Sequence, residues 1–183
     1  MPKLTIPTLR HERLRLEPLS PTHSAGMFAL WSRAEVCRYS GPAVDAFGDP
    51  VQLPAVTPLD SDRILDFFVR RAAAGLGFRW ALITASDNRF VGALGFNHLG
   101  ACPELAYHLH PDAWGAGLMT EATRLALDWV AAAHHARQVE AFIEPANTAS
   151  IALVERLGFA ATGEAVEGAG RYVARLRGAC RTV

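Results

Sequence analysis

The chain reads as one α/β domain, a mixed sheet with helices on both faces, and three observations predict it. Two apolar segments, residues 78–84 and 90–99, flank the turn-rich run Ala85-Ser86-Asp87-Asn88-Arg89 and form a hairpin. A strand at residues 104–110, a long helix at 117–134 and a strand at 138–143 form a crossover, which adds a parallel step to the sheet. Half of the 183 residues are hydrophobic, enough for a sizeable core, and the length fits one domain.

From the N-terminus, Arg13-Leu14-Arg15-Leu16-Glu17-Pro18-Leu19 alternates polar and apolar, the pattern of a half-buried strand. Ser20 or Thr22 caps a helix that runs to about Ser32, and a second short helix covers residues 34–39. Residues 41–59 hold four prolines and two glycines without periodicity. They read as a long loop, a kind of segment that often carries function. A helix from Ser61 to about Ala74 turns Ile64, Leu65, Phe67, Phe68 and Ala72 to a core. In the long helix, Leu125, Ala126, Trp129, Val130 and Ala133 recur at helical spacing. Residues 148–157 form the last helix, with Gly158 at its C-terminal cap. Two short strands turning at Gly168-Ala169-Gly170 finish the chain, and no repeat or domain boundary is visible.

Lysine plus arginine equals aspartate plus glutamate, so the formal net charge is zero. A nucleic-acid binder usually shows a basic excess or stripe. The densest basic stretch is Arg171, Arg175, Arg177 and Arg181, which a solvated strand face explains better than a phosphate track. Cys37, Cys102 and Cys180 lie far apart, so neither a disulfide framework nor a metal site is expected. Residues 1–11 lack the apolar core of a signal peptide, and no apolar run approaches the roughly 18–20 residues of a membrane span. A cytoplasmic monomer or homodimer, bound neither to membrane nor to nucleic acid, is the expectation.

Chemistry concentrates in His110-Pro111-Asp112-Ala113-Trp114-Gly115-Ala116-Gly117-Leu118-Met119-Thr120-Glu121. A strand ends there, glycines turn the backbone, and a helix begins. The unpaired N–H groups of the first helical turn and the helix dipole make such a junction a phosphate site. The absent side chains of Gly115 and Gly117 leave the backbone approachable. By itself, a pair of glycines before a helix also serves as ordinary turn chemistry. No Gly-Lys-Ser/Thr follows, so this is not a P-loop, and it is not a full G-x-G-x-x-G fingerprint.

A second motif lies about 30 residues on, where Asn147-Thr148-Ala149-Ser150 precedes Leu157-Gly158-Phe159. Asn147 is a sound helix N-cap, and a cap plus a helical serine is the plain reading of that motif. The two motifs in order and at this separation resemble the GNAT acetyltransferase superfamily, most of all its RimJ/RimL-type branch of ribosomal-protein N-terminal acetyltransferases. The likeness extends through Glu12-Arg13-Leu14-Arg15-Leu16, Phe28-Ala29-Leu30-Trp31-Ser32, Trp80-Ala81-Leu82-Ile83, Phe90-Val91-Gly92 and Thr120-Glu121-Ala122. It implies a GNAT fold, with a central, mostly antiparallel sheet, a splayed parallel strand pair, and helices on both faces. It also implies an N-acetyltransferase that uses acetyl-CoA as co-substrate and no metal.

Residue by residue, the resemblance implies that Trp114, Gly115, Ala116, Gly117, Leu118, Met119 and Thr120 hold the coenzyme pyrophosphate. Backbone N–H groups around Tyr107, His108 and Leu109 would serve the oxyanion, and Asn147 and Ser150 would shape the cleft. Met119 departs from the family's small residue; it either crowds the coenzyme or turns into the core while its N–H serves. Where many relatives place a proton-donating tyrosine, seven residues after Asn147, this chain has Val154. The leaving thiolate then falls to Ser150. A thiol pKa of about 8.5 asks only modest help of that hydroxyl.

The attacking amine must be uncharged. An α-amine of pKa about 8 is roughly a tenth neutral at pH 7, whereas a lysine of pKa about 10.4 is almost fully charged. Glu104 is the first candidate for base, directly or through water. His98, His108, His110 and Glu144 are compared with it, and Glu104, Ala106, His108 and His110 share one strand face by alternation. The short terminal hairpin leaves an open acceptor side bordered by residues 41–59 with Asp45 and Asp49, which suits a peptide or protein N-terminal amine. A small amine (polyamine, amino acid or drug) and a non-catalytic acyl-CoA-binding module are the alternatives.

Overall fold

The computed structural model describes residues 5–176. Arg177, Cys180 and Arg181 lie outside the described residues. In chain order come β1 (Leu9–Arg10), β2 (Leu14–Pro18), α1 (Ser24–Trp31), α2 (Ala34–Cys37), β3 (Ala43–Val44), β4 (Pro50–Val51), α3 (Pro58–Ala73), β5 (Phe78–Thr84), β6 (Phe90–Phe96), β7 (Leu105–Leu109), α4 (Leu118–Ala133), β8 (Gln138–Ile143), α5 (Thr148–Arg156), β9 (Ala160–Val166) and β10 (Ala169–Arg175). Short 3-10 turns at Pro21–His23 and Pro111–Ala113 lead into α1 and toward α4.

An antiparallel five-stranded sheet has the order β1-β2-β5-β6-β7, and an antiparallel three-stranded sheet has the order β8-β10-β9. They meet where β7 and β8 run parallel. One bridge, Glu104 to Glu140, joins them, beside a 3.0 Å bond from the Glu140 N–H to the Pro103 carbonyl. Beyond it the strands part, as expected of a splayed pair.

Two cores cover the main sheet. Phe78, Trp80 and Leu82 of β5 face one with α4 and α5, whereas Ala81 and Ile83 face the other with α1, α2 and α3. Burial on both faces explains why β5 reads as a continuous apolar run rather than an alternating one. Trp80 is fully buried, packs edge-on to Phe78 and Trp129, and donates its indole N–H to the Pro7 carbonyl at 2.8 Å. Truncating such a residue to alanine costs about 3–5 kcal/mol.

Three expectations need correction. Residues 41–59 are not a structureless loop, because β3 and β4 pair around the Asp45 carboxylate. Helix α3 starts at Pro58 instead of Ser61, because Thr57 and Asp60 form a capping box with proline in the first turn. The terminal turn sits at Glu167 and Gly168, both at positive φ, while Ala169 and Gly170 already belong to β10. No helix among the described residues is long and apolar enough to cross a membrane, and none of them cluster as metal ligands.

Candidate active site at the splay of β7 and β8

Past Leu109, the backbone is held by side chains. His110 Nδ1 accepts from the Asp112 N–H at 3.3 Å, and the Trp114 indole N–H donates to the Leu109 carbonyl at 2.8 Å. Gly115 and Gly117 then adopt left-handed φ values of 73° and 77°, which a β-carbon disfavours. A Cβ placed on either would meet nothing within 4 Å. Open space therefore lies over the head of α4, where the first helical N–H groups lack intrahelical partners. That arrangement fits a phosphate ligand. Met119 is 4% exposed and packs in the core, so its side chain turns inward and leaves the turn uncrowded.

Arg13 is a residue that sequence reasoning left out of the site. Its guanidinium donates to Glu121 Oε1 at 2.8 Å and to the Ala116 carbonyl at 2.7 Å. Glu121 suits the helix dipole but would repel an anion at the same place. Arg13 offsets that charge and braces the turn from the residue just before β2. Nothing local signals the pairing, because the partners are 103 and 108 residues away.

Along β7, the His110 N–H bonds to Val91 and the Glu104 carbonyl accepts from Asn97, which sets the alternation against β6. Tyr107 and Leu109 therefore turn their peptide groups to the splay, while His108 turns its N–H to β6. Of the three residues expected to supply backbone donors, His108 is thus directed away. Across the splay, Asn147 caps α5, its Oδ1 accepting from the Ser150 N–H at 3.2 Å. Val154 is fully buried in the core.

The opposite face of β7 carries charges. Glu104, at the closed end of the splay, accepts from Asn97 Nδ2, and Asn97 Oδ1 accepts from Arg79. Arg79 is 4% exposed, and burial pulls its pKa down to about 10 against the favourable charge of Glu104. His98 Nε2 lies 3.6 Å from both Glu104 and Glu140, and Arg171 clamps Glu140 at 2.7 Å. His108 contacts Ser40 Oγ at 3.0 Å through Nε2 and stacks on Trp31. Burial, with Arg79 nearby, pushes its pKa down to about 3, so it stays neutral at physiological pH and is a weak base. His110 caps the turn, and Glu144 is an exposed loop carboxylate. The Tyr39 hydroxyl, just past α2, donates to the Ala146 carbonyl at 3.1 Å and ties that region to the loop before α5.

With this geometry in hand, likeness to known proteins is informative. The acetyltransferase (GNAT) domain family matches residues 13–160. An uncharacterized N-acetyltransferase, p20, of Bacillus licheniformis is 28% identical over 159 residues, covering 85% of this chain and 84% of the relative. Among solved structures, RimL, a ribosomal L7/L12 α-N-protein acetyltransferase in complex with coenzyme A, superposes with a TM-score of 0.77 at 16% identity, covering 93% of this chain and 98% of that one. A ribosomal-protein-S5-alanine acetyltransferase from Vibrio fischeri does so with a TM-score of 0.73 at 17% identity, covering 93% and 97%. Both share its fold.

Proposed function

The chain belongs to the GNAT acetyltransferase family and is an N-acetyltransferase, and from that premise we propose that it moves acetyl from acetyl-CoA to the N-terminal α-amine of a protein or peptide. The observation that carries the coenzyme half is the open space over left-handed Gly115 and Gly117 at the head of α4. The pyrophosphate takes the N–H groups of the turn from Gly115 through Thr120. Inward packing of Met119 and the Arg13–Glu121 pair keep that place clear and free of repulsion.

In the reaction, the amine nitrogen attacks the thioester carbon, a C–N bond forms and the C–S bond breaks. Holding both reactants in one cleft supplies much of the acceleration. Peptide N–H groups of Tyr107 and Leu109 face the splay and stabilise the oxyanion. Ser150 hydrogen-bonds the leaving sulfur, and Glu104 takes the amine proton directly or through water. One Glu104 oxygen is held by Asn97, and the other faces the solvent-accessible His98 side.

The weaker demand of an α-amine for a base supports this acceptor class. So do the fold neighbours that act on ribosomal proteins. Asp45 offers no free charge to an acceptor, because it is buried and its carboxylate is taken by Arg63 at 2.6 Å and by two backbone N–H groups. The test is thiol release from acetyl-CoA against a panel of amines. Peptides with a small first residue should exceed free lysine and polyamines in kcat/KM. Preference for a small amine overturns the acceptor, and a coenzyme-induced thermal shift without turnover on any amine overturns catalysis.

A further inference from the structure

Arg79 is a buried cation whose hydrogen bonds go to neutral oxygens. Its guanidinium lies 4.4 Å over the Phe68 ring and donates to the Phe78 carbonyl at 3.1 Å and to Asn97 Oδ1. Taking a charge out of water is expensive, so an apolar residue of similar volume would serve the fold at least as well. Asn97, half-buried at the end of β6, is held on every side. Its N–H donates to the Glu104 carbonyl at 2.8 Å, its carbonyl accepts from Arg71 at 2.6 Å, and Nδ2 donates to Glu104 Oε1 at 2.5 Å. A guanidinium only donates, so Oδ1 must face Arg79 and Nδ2 must face Glu104. An N–H aimed at Oε1 disfavours a proton on that oxygen. The other oxygen, Oε2, faces His98 Nε2 at 3.6 Å.

We propose that Arg79 and Asn97 are positioning residues for acetyl transfer: Arg79 locks the Asn97 amide, which occupies Glu104 Oε1 and makes Oε2 the atom that takes the amine proton. This rests on the base role given above to Glu104. As the C–N bond forms and the C–S bond breaks, the electron pair of the latter stays on sulfur. The amine proton passes to Oε2, directly or through water, and Asn97 and Arg79 keep their protons throughout. Burial pulls the Arg79 pKa only to about 10, so the anchor stays charged near neutral pH. The other charged or titratable groups on this side are Arg71 at the Asn97 carbonyl, His98, and Glu140 in the grip of Arg171.

The experiment follows thiol release from acetyl-CoA at low and high pH, with the best acceptor of the amine panel and variants of the full chain. Arg79→Met replaces the cation by an apolar side chain. It should lower kcat/KM for the amine about fivefold at low pH and less at high pH, the direction of Glu104→Gln. KM for acetyl-CoA and the thermal shift induced by coenzyme A should stay unchanged. Asn97→Ala should show the same pattern and stands in if Arg79→Met does not fold. Arg79→Lys, which still donates to Oδ1, should retain most of the wild-type activity. Either loss, added to Glu104→Gln, should cost nothing further. Wild-type rates at low pH in folded Arg79→Met or Asn97→Ala beside an impaired Glu104→Gln overturn this inference alone. So do a loss equal at every pH and losses that multiply with Glu104→Gln. Full activity of Glu104→Gln at every pH overturns the base role and this inference with it.

Discussion

On one side of β7, Tyr107 and Leu109 turn peptide groups to a splay whose far wall is the cap of α5, and the neighbouring turn offers bare backbone over two left-handed glycines. On its other face, Glu104 and His108 sit among Asn97, Arg79, His98 and Ser40, each polar group engaged by another side chain. In the proposed complex the first region binds through main-chain dipoles. It is indifferent to most side-chain identities and intolerant of added atoms. The second works through mutually satisfied side chains, so substitution and pH tune it by degrees. In the proposed reaction the coenzyme lies on the backbone side and the amine proton leaves on the side-chain side.

Gly117→Val strikes the backbone side hardest. A β-branched residue at φ 77° is strained, and its side chain enters the open space. Affinity for coenzyme A, measured by calorimetry, should fall by well over about tenfold while the chain stays folded; unchanged affinity breaks the contrast. On the side-chain face, Glu104→Gln should lower kcat/KM about tenfold at low pH and less at high pH, where amines are neutral unaided. A loss independent of pH would make Glu104 a structural member of its network.

Arg13→Ala tests whether a side chain matters at the backbone site. Leaving Glu121 with only His11 Nδ1, at 3.4 Å, beside it should weaken coenzyme binding by about two- to fivefold at low ionic strength and less at high salt. Adding Glu121→Gln should restore affinity. The smallest effect is on stability. Because the folded pKa of His108 is about 3 and its ordinary value is 6.5, the unfolded chain binds the extra proton between those values. Stability contributed by neutral His108 is present above pH 6.5 and is lost as pH falls toward 3. His108→Gln should flatten the dependence of Tm on pH in that window; an unchanged slope would show that His108 is not kept neutral by its surroundings.

Much of the frame was legible because the signals were local. β5 and β8 match their expected bounds, since β-rich apolar runs ended at turn residues, and α4 and α5 began at the glycine turn and at Asn147 as read. What escaped depends on distant partners. The β3–β4 hairpin is organised by Asp45, whose carboxylate is held by Arg63 from α3. The grip of Arg13 on the turn and the neutrality of His108 likewise arise only when β2, α1 and β7 come together. Trp114 was placed by motif, but its bond to the Leu109 carbonyl had no sequence signature.

Mechanically, the two sheets are plates stitched together at one rung, Glu104 to Glu140, and α4 packs in the core that β5 and β8 share. A molecule lying between the Tyr107 and Leu109 peptides and the head of α5 is a removable rung in that ladder. At a hundred times its Kd it adds about 2.7 kcal/mol to folding stability. That gain is concentrated at the crack, where amides of β7 and α5 should slow in hydrogen exchange while those of α3 keep their pace. On the proposed binding mode the enzyme would be stiffest when loaded and most compliant when its product has left.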